Sequence, residues 1–409
     1  MPTFAYTIRD QTGALRKAVV DAESENVLAR RLREQGFQVA SIKPTKSATK
    51  KPGGGFGRVG LTDLSIFCRQ FSTMIDAGVS LVRCLSVLAE QTASPKLKAI
   101  VMDIQKEVEA GQTLSASMRK YPRVFNNLFV GLVRAGEVGG VLEESLQRLS
   151  QFLEKDVELR RKVKSAMTYP CIVIVVAITI VTLLVALILP RFMQLFTDLG
   201  VKDFPAMTQM LMDFSHFLNQ YWYIALGGLI VFYMLFKAFV RTKFGKRVYD
   251  RFKLSMPVFG KLNHKICLAR FSRTLGTLLS SGVPILQALE TVAGTVDNDI
   301  IADAVLEARA RIREGDRIGD PLQKSKQFPP MVVQMISIGE ESGALDQMLT
   351  KIAEFYEQEV DAALASLTSA IEPVMIVFLG GAVGFIVISM FLPLVALIQG
   401  LSGGGDDTK

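Results

Sequence analysis

Three long apolar segments constrain this chain more than any other feature of its sequence. Each holds about twenty residues with almost no charge. Nineteen helical residues reach about 28 Å, close to the bilayer hydrocarbon thickness of about 30 Å, and a helix satisfies its own backbone in lipid. Buried helices of a soluble protein would be shorter or would carry a polar stripe. We therefore predict three transmembrane helices, at residues 171–189, 221–240 and 374–392.

Basic residues cluster on one side of these predicted spans. They precede the first span and follow the second, whereas residues 190–220 are not basic overall. Because positive residues stay in the cytoplasm, we expect a cytoplasmic N-terminus, a periplasmic loop at 190–220 and a periplasmic tail at 393–409. The basic flanks are Arg160, Arg161, Lys162 and Lys164, then Arg241, Lys243, Lys246, Arg247, Arg251 and Lys253.

The formal net charge of +8 is thus placed at the membrane-proximal cytoplasmic face. Anionic lipid accounts for a basic face in that position, so no direct contact with nucleic acid is expected. The predicted location is the bacterial inner (plasma) membrane, with several passes and with the N-terminus cytoplasmic and the C-terminus periplasmic.

The chain also contains an internal duplication. Residues 67–91 match 271–295 at an offset of 204 with seven identities in 25 positions, and residues 136–160 match 339–363 at an offset of 203 with eight. Pro170 and Pro190 align with Pro373 and Pro393 at the second offset. The repeat unit therefore includes a helical module and the span that follows it.

Apolar periodicity, prolines and glycines predict that each module is all-helical. The predicted fold class is mostly α, with two tandem cytoplasmic helical-bundle domains, three transmembrane helices and a small N-terminal α+β domain. In that domain we predict strands at 4–8, 15–20 and 37–42, and a helix that Ser24 caps and that ends before Gly36. The predicted domains are 1–44 (α+β), 45–60 (Gly/Lys-rich linker), 61–168 (first helical domain) and 241–372 (second helical domain).

Repeated residues form the candidate structural or docking motif. The Gly-Glu-x-x-Gly turns have two interpretations. In the structural one, the glycines have positive φ and the glutamate binds amides at the start of the next helix; in the functional one, the turns form a docking surface. Turn chemistry favours the structural interpretation. The repeated arginines predict one ion pair per module, and two prolines mark span entry, where the helix bends or restarts. These residues are Arg69, Gly78, Gly136, Glu137 and Gly140, then Arg273, Gly282, Gly339, Glu340 and Gly343, with Pro170 and Pro373.

No residues point to catalysis. Phosphate-loop, nucleophile-elbow and zinc-protease motifs are missing, and the four cysteines and two histidines form no metal-binding spacing. We therefore predict no enzyme activity, no catalytic residue, no metal and no cofactor. A membrane transporter or channel built from parallel repeats is the alternative, but its mid-membrane ionisable groups are missing from the spans.

These motifs resemble one known family over essentially the whole chain. Ala77–Leu81 and Ser281–Ile285, the Phe-to-Leu patterns at 125–142 and 328–345, and Tyr169-Pro170 are similar to the platform proteins of type IV pilus and type II secretion machines, the PilC/GspF family. Glu372-Pro373 departs from the Tyr-Pro of the first copy in a way usual for the family.

The resemblance implies a non-enzymatic platform that couples a cytoplasmic hexameric ATPase to insertion of pilin or pseudopilin into the filament, or to its removal. Implied partners are that ATPase, pilin transmembrane helices, other inner-membrane machine subunits and further copies of the chain itself. Pilus assembly, secretion and DNA uptake stay open as alternatives.

Overall fold

A computed structural model describes residues 3–9, 15–21, 38–45, 58–198, 204–257 and 259–403. The predicted mostly α class is confirmed. The chain divides into two compact units, one formed by Met1–Asp63 with Val79–Gln112 and the other by Leu64–Gly78 with Thr113–Lys409. The second unit contains the long helices and both copies of the repeated glycine–glutamate motif.

The N-terminal strands form one antiparallel sheet in the order β2-β1-β3. All three strands expected from the sequence are present, and the first two pair antiparallel, as a hairpin requires. The helix predicted from Ser24 lies outside the described residues, as does most of the predicted linker. The strands are β1 Thr3–Arg9, β2 Leu15–Asp21 and β3 Gln38–Thr45.

Between residues 58 and 141 the structure describes five helices, and local sequence signals explain their limits. Ser94 caps the third of them with Pro95 in its first turn, and Asn126 caps the fifth by accepting a bond from the amide of Phe129. Gly140, with φ of 68°, ends the fifth in the left-handed region. The helices are α1 Leu61–Asp76, α2 Leu81–Gln91, α3 Pro95–Glu109, α4 Leu114–Arg119 and α5 Asn127–Gly139.

A very long helix, α6 at Leu142–Leu183, follows and passes through the predicted first span. It continues through one π-helical turn at Leu184–Ile188 into α7 at Leu189–Asp198. The helix α8 then covers Ala206–Arg241. Most of the stretch predicted as a periplasmic loop is therefore helical, and Met193, Phe196 and Leu211 from this stretch are buried in a cluster.

The second copy repeats the helices of the first in the same order. Asn298 caps α12 through bonds from the amides of Ile300 and Ile301, and Gly343 repeats the left-handed end of α5 with φ of 69°. The helices are α9 Lys243–Ser255, α10 Phe259–Ser280, α11 Ile285–Thr295, α12 Asp299–Arg313, α13 Gly319–Lys324, α14 Pro330–Ser342 and α15 Leu345–Gly403.

Neither span-entry proline interrupts its helix. Pro170 lies inside α6 and Pro373 inside α15, so the predicted restart at these positions is wrong. A proline removes one intrahelical hydrogen bond, yet both helices continue through these positions. With 59 residues, α15 spans about 88 Å at 1.5 Å per residue. Each long helix can therefore extend well beyond one bilayer core.

Of the described helical segments, two are long and apolar enough to cross a membrane, at Leu142–Asp198 and Leu345–Val395. A third candidate consists of Ala206–Tyr221 and Leu226–Arg241, which meet at an angle of 79°. If that bent pair is one span, the described part of the chain has three. The second predicted span, residues 221–240, begins at this bend.

Candidate functional site

The repeated glutamates act as helix caps across the fold. In the first copy, Glu137 accepts hydrogen bonds from the amides of Leu114 and Ser115, at 2.5 and 3.2 Å. In the second, Glu340 accepts one from Ile318 at 2.9 Å. These amides begin α4 and α13, where free N–H groups and the helix dipole favour a negative charge.

The capped helix is therefore not the one predicted. The sequence interpretation assigned each glutamate to the next helix, but the bonded amides lie 22 to 23 residues earlier in the chain. The carboxylate reaches back because α5 packs against α4, and α14 packs against α13. The arrangement joins two helices by a charged hydrogen bond, which is stronger than a neutral one.

The two glycines of each motif have different roles. Gly140 and Gly343 have positive φ, as predicted, whereas Gly136 and Gly339 are helical. A Cβ on Gly136 would lie 2.7 Å from Cβ of Ser145 and 3.0 Å from Cα of Leu142. The prediction of positive φ at the first glycine is thus wrong. This glycine instead allows close contact between α5 and α6, and between α14 and α15.

Each repeated arginine lies beside a repeated glutamate. Arg69 is 3.4 Å from Glu154, and Arg273 is 2.8 Å from Glu357. The first pair is exposed, whereas the second is mostly shielded from solvent. Both join the first helix of a module to its long helix. Gly78 and Gly282 end those first helices with φ of 77° and 75°.

The long helices also join the two copies to one another. An apolar cluster combines residues of α6, α10 and α15, and ionic contacts surround it. Asp156 lies 3.4 Å from Arg270, which also contacts Asp297 at 2.6 Å, and both Asp156 and Arg270 are about 15% exposed. The buried members of the cluster are Leu159, Leu262, Val360, Leu364 and Leu367.

Charge pairing around this cluster shifts two pKa values. The hydrogen bond from Lys162 to Asp361, at 2.7 Å, raises the pKa of that lysine above its ordinary value. Hydrogen bonds from Lys155 and Lys162 lower the pKa of Glu158. Both shifts favour the charged forms. The pair of Lys162 and Asp361, which joins α6 to α15, therefore stays ionic at neutral pH, whereas the pairs of Glu158 lie within α6.

A second cluster lies at the far ends of the first and third predicted spans, away from the helical modules. It contains the π-helical turn, α7, the start of α8 and the end of α15. Its buried apolar residues are Val185, Leu189, Met193, Phe196, Leu211 and Ile386. The first and third predicted spans are therefore packed together at the end farther from the helical modules.

Polar side chains of α8 complete the hydrogen bonding of this cluster. Pro190 and Pro393 have no N–H for the carbonyls four residues earlier, which belong to Ala186 and Ser389. Asn219 donates to the carbonyl of Ala186 at 3.1 Å, and Thr208 donates to that of Ser389 at 2.6 Å. These carbonyls occupy equivalent positions in the two copies, so one helix serves both prolines.

Ser215 adds a third contact of this kind. Its hydroxyl is buried and donates to the carbonyl of Val185 at 2.7 Å, inside the π-helical turn. An apolar surrounding makes an unpaired carbonyl costly, and neighbouring polar side chains are the usual solution in membranes. Thr208, Ser215 and Asn219, at spacings of seven and four, thus form one polar stripe on α8.

No arrangement for catalysis accompanies these contacts in the part of the chain that the structure describes. The described residues contain no group of three or more His, Cys, Asp or Glu that could hold a metal ion. Burial raises the pKa of the Cys267 thiol to about 12, so this thiol is protonated at neutral pH and a poor nucleophile.

Comparison with known families accounts for the repeat. The model for type II secretion system protein F matches residues 67–190 and again 271–393, and the model for its N-terminal domain matches residues 1–43. The chain belongs to this family. The resemblance drawn from the sequence is thereby confirmed, and both matches run from a helical module through a span to the second proline.

Relatives over nearly the full chain carry names from two machines. The type IV pilus assembly protein PilC of Thermus thermophilus is 45% identical, over 98% of this chain and 100% of its own. That of Myxococcus xanthus is 43% identical over 96% and 94%. The type II secretion system protein F of Vibrio cholerae is 33% identical over 97% and 98%.

Several residues of the site were missed from the sequence. Asp156 and Arg270 meet only because the two copies pack together, and no local pattern predicts that. The contacts of Thr208 and Asn219 could have been predicted from the sequence. Two prolines near the ends of spans leave carbonyls free, and a polar stripe on the intervening segment supplies the donors.

Proposed function

We propose that this chain is the non-enzymatic inner-membrane platform of a type IV pilus or type II secretion machine. On this proposal it couples a cytoplasmic hexameric ATPase to the insertion of pilin or pseudopilin into the filament, or to its removal. One observation carries the proposal: both family matches include a helical module and the span continuous with it.

The identities favour the pilus machine of the two. Relatives named for pilus assembly reach 43–45% identity, compared with 33% for a relative named for secretion. We therefore expect deletion of the gene to abolish surface pili, with the assembly ATPase still active and pilin still in the membrane. Loss of secreted proteins with normal pili would indicate the secretion machine. Normal pili and normal secretion would contradict the proposal.

The proposed topology follows the basic flanks. The N-terminus and residues 241–372 lie in the cytoplasm, whereas 190–220 and the C-terminus lie in the periplasm. Alkaline phosphatase fused after Thr197 or after Ser402 should be active, and fusions after Ser255 or after Ser325 should not. The reverse pattern would place the modules on the wrong side of the membrane for an ATPase.

The modules are the proposed contact with the ATPase, and the spans with pilin helices. Other inner-membrane subunits and further copies of the chain complete the proposed partners. The motif residues are proposed as module scaffolding, because each of Glu137, Glu340, Arg69 and Arg273 binds a neighbouring helix. Crosslinking from exposed module positions in cells would identify the partner in contact.

A further inference from the structure

The helix α9 begins next to the end of a predicted span. Only Thr242 separates it from Arg241, the last residue of α8, and Thr242 caps it by accepting a bond from the amide of Gly245 at 3.0 Å. The final part of α8, from Leu226, consists almost entirely of exposed apolar residues. The first turn of α9 therefore lies where an apolar helix ends in a group of basic residues.

One face of α9 is apolar and exposed. Phe244, Val248 and Phe252 recur every four residues, so they form a stripe along the helix, and they are 74%, 45% and 58% exposed. A helix of a soluble protein turns such a stripe inward. This stripe of three residues, the α9 stripe, is turned outward instead.

Exposed basic residues lie beside the α9 stripe and in the first turn of α9. Lys243, Arg247 and Arg251 are all exposed, and the spacing places Arg247 and Arg251 beside the three apolar side chains. Arg247 pairs with Asp303 on α12. Within the described part of the chain, Lys243 and Arg251 have no carboxylate partner, so two positive charges are available to a ligand.

The opposite face of α9 is fixed to the protein. Asp250 is buried and accepts a bond from the amide of Asp299 at 3.0 Å, while Asn298 donates to its carbonyl at 3.2 Å. Tyr249 packs edge-on against Phe236 of α8 at 5.7 Å. The α9 stripe therefore cannot turn inward without breaking these contacts.

We propose that α9 is an interfacial helix, whose stripe enters the cytoplasmic leaflet while Lys243 and Arg251 bind anionic lipid headgroups. An apolar stripe bordered by basic residues is typical of such helices. Because α9 follows directly after the apolar end of α8, which is a predicted span, lipid is favoured over a protein partner at this face. The inference deepens the contact with anionic lipid that the basic flanks predict, and it rests on the proposed topology.

The proposed anchor precedes the second module and is not part of the repeated unit. The family match of the second copy begins at residue 271, so α9 lies outside the repeat. An interfacial helix here would fix the second module at the membrane surface through contacts that the repeat unit does not itself contain.

Depth-dependent quenching of a single tryptophan tests the proposal. In a Trp222→Phe background, Phe252→Trp or Phe244→Trp reports on the stripe in the full chain. The protein is placed in vesicles of phosphatidylcholine and phosphatidylglycerol, with or without brominated acyl chains. We expect the brominated lipid to remove most of the emission, and aqueous iodide to quench weakly.

The matched control is Ile338→Trp in the same background. Ile338 is 49% exposed on α14, and the adjoining α15 runs 29 residues, about 44 Å, before it reaches the third span. Its emission should be quenched by iodide and not by brominated lipid. Adding Arg251→Gln to the Phe252 reporter should weaken brominated-lipid quenching in the anionic vesicles, relative to the unaltered reporter.

Iodide quenching of both stripe reporters equal to that of the Ile338 reporter, without brominated-lipid quenching, would overturn the proposal. Protection that appears only when the assembly ATPase is added would also overturn it and would indicate a protein partner. Both results concern purified protein in vesicles. They would leave the proposed role in filament assembly intact, which is tested separately by gene deletion.

Discussion

At the scale of single residues, carboxylates and glycines join helices that are distant in sequence. Glu137 and Glu340 each bring a negative charge to amides at the start of a short helix, 22 to 23 residues earlier. Both glutamates could be selected from the sequence because the motif repeats. Their partners could not, since the contact depends on how α5 folds back on α4.

Removing one of these charges should destabilise the protein. For Glu340→Gln we expect a loss of about 1–2 kcal/mol, because an amide side chain binds helix N–H groups without the charge. Thermal unfolding of the purified protein in detergent measures this. Glu341→Gln is the control, since its pair with Arg317 is exposed and such pairs contribute roughly 0–1 kcal/mol. Equal losses would contradict the capping role.

We expect a methyl group added at the first glycine of the motif to destabilise the protein more than loss of the glutamate charge does. Gly136→Ala places Cβ 2.7 Å from Cβ of Ser145, and overpacking of this kind typically costs about 1–3 kcal/mol. Gly131→Ala in the same helix is the control, because a Cβ at that position would meet no atom within 4 Å and alanine favours helix by about 1 kcal/mol. If both changes stabilise the protein, the close approach of α5 and α6 is wrong.

At the scale of elements, helix periodicity predicted the order of the module helices well. Prolines and apolar connections were harder to interpret. Pro170 and Pro373 suggested a bend or a restart, yet neither helix restarts at its proline. Residues 190–220 suggested a loop, yet α7 and α8 include most of them. For residues 190–220, burial of Met193, Phe196 and Leu211 accompanies the helical conformation, and no local sequence pattern predicts that burial.

The bond from Thr208 to Ser389 can be tested together with the proline that requires it. Thr208→Val leaves the carbonyl of Ser389 unpaired and should destabilise the protein by about 1–2 kcal/mol. In a Pro393→Ala background, the new N–H can bond that carbonyl, so the same change should cost clearly less. A double-mutant cycle of unfolding measurements gives the difference. Additive costs would mean that the proline and the threonine act independently.

At the scale of the whole molecule, the central feature is the contact between the two copies along α6, α10 and α15. The duplication was evident in the sequence, but the surface that joins the copies was not. Leu159, Val360 and Leu364 have ordinary helical spacing, and nothing local distinguishes contact with the other copy from contact within one module.

Neutralising a shielded charge between the copies should loosen this contact. Asp156→Asn leaves Arg270 with Asp297 alone and should destabilise the protein by about 1 kcal/mol. Glu158→Gln on the same helix is half-exposed and should cost roughly a few tenths. Thermal unfolding and the rate of limited proteolysis in detergent both report the change. A larger effect at Glu158 would contradict the role given to Asp156.

Because α15 runs from the second module into the third predicted span without interruption, we expect the module and the span to act as one rigid piece. This requires that α15 be stiff where it enters the bilayer. Ser369, Ala370 and Glu372 are exposed on that segment, so they can be changed without disturbing the core. Three glycines there weaken the helix by about 3 kcal/mol relative to alanines. The triple alanine carries alanine at all three positions, which changes only Ser369 and Glu372 because residue 370 is already alanine. The triple glycine and the triple alanine have equal length and differ mainly in stiffness.

The most direct measurement is therefore filament assembly in cells that carry either variant in place of the natural gene. The account predicts near-normal filaments for the triple alanine. It predicts few or none for the triple glycine, with equal amounts of both proteins in the membrane. Normal filaments from the triple glycine would contradict the claim that module and span act as one rigid piece.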